Sequence, residues 1–432
     1  MTSAATSSMA QMQLGVRFCA TRRRTLELCR PLTPEDMMVQ SSPEASPAKW
    51  HLAHTAWFFE SFILREFAPG YRLFDADFPW LFNSYYRSFA AFPQKHLRAS
   101  FSRPGLAEVL RYRAHVDEGI ERLLEGSPEP AVLERIELGV NHEEQHQELL
   151  LTDILHAFFT NPLRPAYLPE TAGAAKGGEA EPLRFAEFAG GLREIGCSGE
   201  GFSFDNERPR HRVWLEPFAL AQRLVTNGEF AAFIADGGYR RPELWLSAGW
   251  DAVEQQGWSA PLYWTREGGG DWSLFTLRGA QPLAQMAASP VSHVSYFEAD
   301  AYARWAGKRL ATEFEWEAAA AGVKVEGNLL DSGRLAAHPA EKMIQVESPA
   351  QQFGDCWEWT ASAYLGYPGF SPLGGSLGEY NGKFMSGQMV LRGGSCVTPA
   401  AHIRGSYRNF FPPETRWQFS GIRLAEERVR PR

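Results

Sequence analysis

The hydrophobic pattern of the chain changes character near residue 165. Before that point, apolar positions recur at three- and four-residue steps, the spacing of helices with one buried face. "TRRRTLELCRPL" precedes a Ser/Pro-rich turn, "SSPEASP", and "AKWHLAHTAWFFESFILREF" then runs with helical periodicity. Pro104 opens "PGLAEVLRYRAHVDEGIERLLEG", which stops on a glycine. "PAVLERIELGVNHEEQHQELLLTDILHAFF" runs from a proline start to Asn161-Pro162. Four helices with unequal connections predict a small bundle. The longest connection, 68–103, is rich in aromatics ("YRLFDADFPWLFNSYYRSFAAF") and is expected to pack against the bundle.

Beyond a small-residue, charged stretch at 166–184, the period shortens. Strand-like runs such as "HRVWLEPFAL" alternate with Gly, Pro and Asn turns. Two stretches read as helices there: "TNGEFAAFIADGG", capped by Thr226, and "SYFEADAYARWAGKR", capped by Ser295. The expected organisation is a helical bundle over 1–165, a linker over 166–184 and a mixed α+β domain over 185–432. No internal repeat is visible.

Composition narrows the function classes. At 432 residues the chain exceeds one ordinary core, and 44% apolar with 22% charged residues is a globular balance. A net charge of -8 argues against nucleic acid as a partner. No apolar run approaches the roughly 20 residues of a membrane span. "MTSAATSSMAQMQ" lacks the apolar core of a secretory signal, and "RRR" at 22–24 reads as a solvated helix face. Cys19, Cys29, Cys197, Cys356 and Cys396 are scattered and odd in number, which fits reduced thiols in a cytoplasm. The sequence carries no signal for oligomeric state.

The histidines carry the candidate chemistry. His142 and His146 sit four apart in "NHEEQHQELLL", one above the other on a helix. His51 and His54, in "KWHLAHTAWFFE", lie on another helix of the same bundle. Bundles build metal sites from inward-facing side chains of neighbouring helices. Two imidazoles at i, i+4 plus one from a facing helix make three nitrogen ligands on one side of an ion, leaving the other side open. Spacing alone does not decide between His51 and His54, nor between zinc, iron, copper and nickel.

Five ordered blocks in the second half, "GGLREIGCSGEGFSFDNERPRHRVWLEPFALAQRLVTNGEFAAFI", "PVSHVSYFEADAYARWAGKRLATEFEWEAAA", "GDCWEWTASAY", "VLRGGSC" and "GIRLA", resemble the formylglycine-generating-enzyme (sulfatase-modifying-factor) fold, a C-type-lectin-like α+β domain. Cys356 and Cys396 stand where Val and Trp are usual, so formylglycine-generating chemistry is not expected. The first half resembles the DinB-like four-helix bundle, whose three histidines bind a divalent metal. Together, "SPAKWHLAHTAWFFE", "NHEEQHQELLLTDI", "EYNGKFM" and "LRGGSCVTPAAHIRGSYRNFFPPETRWQFSGIRLA" resemble the iron-dependent sulfoxide synthases of ergothioneine biosynthesis.

That resemblance implies a reaction and a site. Iron(II), held by His54, His142 and His146 with His51 beside them, and O2 as co-substrate would join the sulfur of a cysteine-type thiol to C2 of the imidazole of hercynine. Zinc could bind the thiolate but could not activate O2. Gln145, Asn409 and Phe410 would contact hercynine, with Phe411 and Trp417 completing an aromatic surface for its trimethylammonium group. Arg87 is expected to hold the carboxylate of the thiol substrate. Members that use gamma-glutamylcysteine carry an aspartate where this chain has Phe411, which favours cysteine. A tyrosine is expected to donate a proton as oxygen is reduced. Tyr86 supported by Tyr85 is favoured, and Tyr380 is a substrate-pocket alternative. A structural divalent cation in the second domain is compatible with the resemblance. The competing readings are a zinc-dependent thiol transferase with a non-catalytic second domain, an ovothiol-type synthase acting on histidine, and a module whose histidines are structural.

Overall fold

The helical half folds into the four long helices that its periodicity predicts, the first of them beginning at Ser3, well before the expected "TRRRTLELCRPL". The computed structural model describes residues 3–169, 180–199, 201–266, 268–340 and 349–428. It divides into two compact units: Met1–Asn161 with Leu373–Tyr380, and Pro162–Pro372 with Asn381–Arg432. The long helices of the first unit are α1 (Ser3–Cys29), α2 (Ala48–Phe59), α3 (Leu106–Glu125) and α4 (Pro130–Thr160). α2 continues through a π-helical turn, Glu60–Leu64, into a last turn at Arg65–Phe67. Most of the expected linker, 170–179, lies outside the described residues.

Every residue of α2 is buried, so it is the central helix, packed against α3 and α4. Close approach to α4 depends on Gly139, where an added Cβ would sit 2.5 Å from the Phe59 ring. One buried polar knot ties the four helices together. Glu143 of α4 accepts from Arg22 Nη1 (2.7 Å) and Thr25 Oγ1 (2.6 Å) of α1, and from Arg113 Nη2 (2.8 Å) of α3. Arg113 Nη1 also donates to Leu52 O and Thr55 Oγ1 of α2. The reading of 22–24 as a solvated face is therefore corrected for Arg22, which is buried while Arg23 is exposed. A charge run looks uniform in one dimension, but a helix turns each of its members about 100° from the last.

The aromatic connection packs as expected: Phe78 lies against Tyr112, Phe89 against Phe62, and Tyr86 against Trp57. Leu373–Tyr380, from far along the chain, belongs to this unit, and its Glu379 carboxylate accepts from Ser88 N–H (2.8 Å) and Ser88 Oγ (2.6 Å).

The second unit is α+β. One sheet runs β1 (Phe185–Phe188), β4 (Phe218–Ala221), β13 (Leu424–Glu427), β8 (Arg309–Leu310). Another runs β11 (Asn409–Phe411), β10 (Met389–Arg392), β9 (Trp357–Ala363), β12 (Ser420–Gly421). β2 (Gly191–Ile195) pairs with β3 (His211–Leu215), and β5 (Trp264–Thr265), β6 (Ser273–Thr276) and β7 (Gly279–Pro282) form a small meander. Thr226 and Ser295 cap their helices as predicted, each closing a capping box with a glutamate three residues on. Cys356 and Cys396 are buried, and burial first, then Asp355, pushes the Cys356 thiol up, which suits packing rather than nucleophilic chemistry. Among the described residues, no helix is long and apolar enough to cross a membrane.

Candidate metal centre

The two histidine-bearing helices present their imidazoles to each other. His54 of α2 and His142 and His146 of α4 bring one ring nitrogen each to within 4.8 Å of one another. The helical repeat also builds the walls. Trp50, His54 and Trp57 fall on one face of α2, and His54 is stacked between the two indoles at 4.4 and 5.1 Å. Phe58 stacks on His142 at 4.2 Å. These rings hold the imidazoles in place and keep water from their flanks. The adjoining face of α4, about 100° round the helix, carries Glu143 and Gln147 into the polar knot, so a single helix both anchors the bundle and offers the ligands.

The environment keeps the three histidines neutral. Burial, then the neighbouring histidines, holds His54 and His146 well below the usual imidazole range. Burial brings His142 down to about 3. His54 Nδ1 donates to the Phe82 carbonyl at 2.7 Å, and His146 Nδ1 lies 2.8 Å from His51 Nδ1. His142 Nδ1 is buried and has no hydrogen-bond partner among the described residues. Three neutral imidazoles whose ring nitrogens converge fit a divalent metal, which takes imidazole lone pairs as ligands, and the orphaned His142 nitrogen leaves that ring uncommitted to any other group among the described residues.

Around this cluster lie several of the groups singled out in the sequence. Tyr380 Oη donates to Gln145 Oε1, and the Tyr380 ring sits 5.7 Å from His142. Tyr86 is fully buried, stacked on Tyr85 at 4.6 Å and packed on Phe62. Burial, then the phenols of Tyr85 and Tyr380, pushes its hydroxyl well up. Arg87 is exposed, with its guanidinium over Phe92.

Comparison with known proteins matches residues 17–150 to the DinB superfamily, and 183–345 with 350–428 to the sulfatase-modifying factor enzyme 1-like domain. The chain is 33% identical to the hercynine oxygenase of Mycobacterium tuberculosis, over 96% of this chain and 98% of that one. It is 32% identical to that of Mycolicibacterium thermoresistibile, over 96% and 94%. The chain belongs to the hercynine oxygenase family. A formylglycine-generating enzyme of Streptomyces coelicolor is 38% identical, but over only 36% of this chain. The hercynine oxygenase match spans both halves, so the fusion of helical bundle and α+β domain is a property of the family and the chain is an oxygen-dependent enzyme.

Within this hercynine oxygenase family member, the remaining sequence candidates lie in the second unit. Phe410 stacks on Tyr364 at 4.0 Å, Phe411 meets Trp417 edge-on at 5.5 Å, and Asn409 Oδ1 accepts from Phe410 N–H. Asn409, Phe410, Phe411 and Trp417 are each partly exposed, and Phe410 and Phe411, consecutive in β11, pack on different aromatic partners. Sequence reasoning missed Arg98. It is buried, its guanidinium lies 3.4 Å over the Trp50 ring, and its Nη1 donates to Ser46 Oγ. Burial lowers it to about 9, against the pull of Asp153 and Glu44, and its charge acts on both His54 and His146. Arg98 falls in a short 3-10 turn, Lys95–Ser100, with no helical repeat to mark its inward face.

Proposed function

We propose that this chain is an iron(II)- and O2-dependent sulfoxide synthase of ergothioneine biosynthesis. It would join the sulfur of a cysteine-type thiol, cysteine in preference to gamma-glutamylcysteine, to C2 of the hercynine imidazole. The observation that carries the proposal is the converging trio His54, His142 and His146, in a chain alike along nearly its whole length to proteins named hercynine oxygenase. Iron(II), when bound, supplies the redox change that O2 chemistry needs and the Lewis acidity that favours a thiolate.

The chain's own residues orient and protonate. Tyr380 is the phenol we assign as proton donor, in preference to Tyr86, because its ring adjoins His142 and its hydroxyl is aimed by Gln145. Tyr86 then supports the wall beside Trp57 and Phe62. Arg98, a buried cation acting on two of the ligand histidines, suits the carboxylate of the thiol better than the exposed Arg87. Asn409, Phe410, Phe411 and Trp417 carry the chemistry a trimethylammonium group requires: aromatic faces and no demand for a donated hydrogen bond.

The test is reconstitution under anaerobic conditions followed by O2, with products read by mass spectrometry. Oxygen uptake is expected only with iron, hercynine and a thiol together, and the product is the hercynine–cysteine sulfoxide. Cysteine sulfinate alone, or a zinc enzyme that consumes no O2, overturns the proposal. Parallel runs with gamma-glutamylcysteine and with histidine decide the substrate pair.

A further inference from the structure

A fourth buried histidine adjoins the trio. His51 is 2% exposed and Asp153 6%. The His51 Nε2 nitrogen lies 3.1 Å from Asp153 Oδ2, and its Nδ1 lies 2.8 Å from His146 Nδ1. Asp153 Oδ2 also accepts from the Ser46 backbone N–H at 2.8 Å. The four groups come from two stretches of chain: Ser46 just before α2 and His51 in its first turn, and His146 and Asp153 two turns apart on α4.

With Asp153 a carboxylate and His51 a neutral imidazole, the hydrogen-bond geometry admits one consistent assignment. A carboxylate only accepts, so the His51 nitrogen facing Asp153 must carry the hydrogen. A neutral His51 then has a lone pair at Nδ1, and that lone pair faces His146 Nδ1. The hydrogen in this contact must therefore sit on His146 Nδ1. His146 is left with its lone pair on Nε2, the one nitrogen not engaged by His51.

We infer that His51 and Asp153 are positioning residues that lock His146 in the tautomer able to ligate a metal through Nε2. The inference rests on the reading of the trio as a metal site and adds to it the device that prepares one ligand before the ion arrives. His54 is set in the same sense by a different group, the Phe82 carbonyl, so two ligands are prepared by unrelated parts of the chain. His51 is thus the partner of a ligand rather than a competitor for that role.

The test uses the full-length apoprotein with labelled histidine and reads imidazole nitrogen tautomers by NMR, alongside Fe(II) affinity by competition titration. In the wild type, His146 is expected to be protonated on Nδ1. His51→Phe, which fills the space without hydrogen bonds, should mix the His146 tautomers and weaken Fe(II) binding roughly 10- to 100-fold. Asp153→Asn is the second variant, because its amide can either accept from or donate to His51. A donating amide would reverse the relay and place the hydrogen on His146 Nε2, so this variant should also mix tautomers and weaken binding. Unchanged tautomer and affinity in folded variants, with only a lower melting temperature, overturns the inference. If the wild type takes up no Fe(II), the metal reading fails, and the tautomer measurement still decides the relay by itself.

Discussion

Replacing Glu143 by leucine isolates what the bundle costs to hold together from what the metal site does. The carboxylate is fully buried and accepts from Arg22, Arg113 and Thr25, three donors at 2.6–2.8 Å. Burial by itself would raise its pKa, but the two guanidiniums and the Thr25 and Arg113 hydrogen bonds outweigh it and hold the carboxyl at about 2, against 4.5 for the free group. At 1.36 kcal/mol per pH unit, that displacement corresponds to about 3 kcal/mol of folding stability. Its sign follows from the depressed pKa: the contribution is complete above pH 4.5 and is lost as pH falls through about 2. Deleting the carboxylate also leaves two cations buried without their shared partner, and removing one member of such a group costs about 3–5 kcal/mol. For a unit of this size the loss is a fall in melting temperature of roughly 6–20 °C. Far-UV circular dichroism of the full chain reads it, and converting Arg22 and Arg113 to methionine as well should restore part of the loss. A Glu143→Leu protein that melts with the wild type would show that the knot contributes packing only, and the electrostatic reasoning would be wrong.

Four further outcomes follow from the same geometry. His146→Ala should abolish both iron content and oxygen uptake, measured by metal analysis and an oxygen electrode. Tyr380→Phe should lower sulfoxide formation by about 10²–10⁴ and shift products towards cysteine sulfinate in mass spectrometry, with Tyr86→Phe changing the ratio far less. Arg98→Met removes a charge-assisted contact of about 1.5–3 kcal/mol and should raise KM for the thiol roughly 10- to 100-fold, with KM for hercynine little changed in steady-state assays. Gly139→Ala gains about 1 kcal/mol of helix propensity but places a Cβ 2.5 Å from Phe59. Overpacking of about 1–3 kcal/mol should leave it less stable and push α4 from α2, weakening Fe(II) binding in a competition titration.

Much of the helical half was legible from its periodicity. The long helices, the proline start of α4 and the inward stripe of His142 and His146 were all readable from local sequence, whereas α3 begins at Leu106, two residues past the expected Pro104. The caps at Thr226 and Ser295 were readable for the same reason: a capping box closes within four residues. The family itself was legible in the ordered blocks of both halves.

What only the tertiary structure decided are the contacts between residues remote in sequence. Nothing near residue 145 indicates that Tyr380, 235 positions later, will hydrogen-bond to Gln145. Nor does the arginine run reveal that Arg22 turns inward to meet Glu143. The two histidines of "WHLAH" are equivalent by spacing and type. They part company because His54 turns between two indoles towards α4, while His51 is taken by His146 and Asp153. Periodicity names the buried face of a helix, and only the packing of a second helix against it determines which nitrogen finds a hydrogen bond and which is left for a metal.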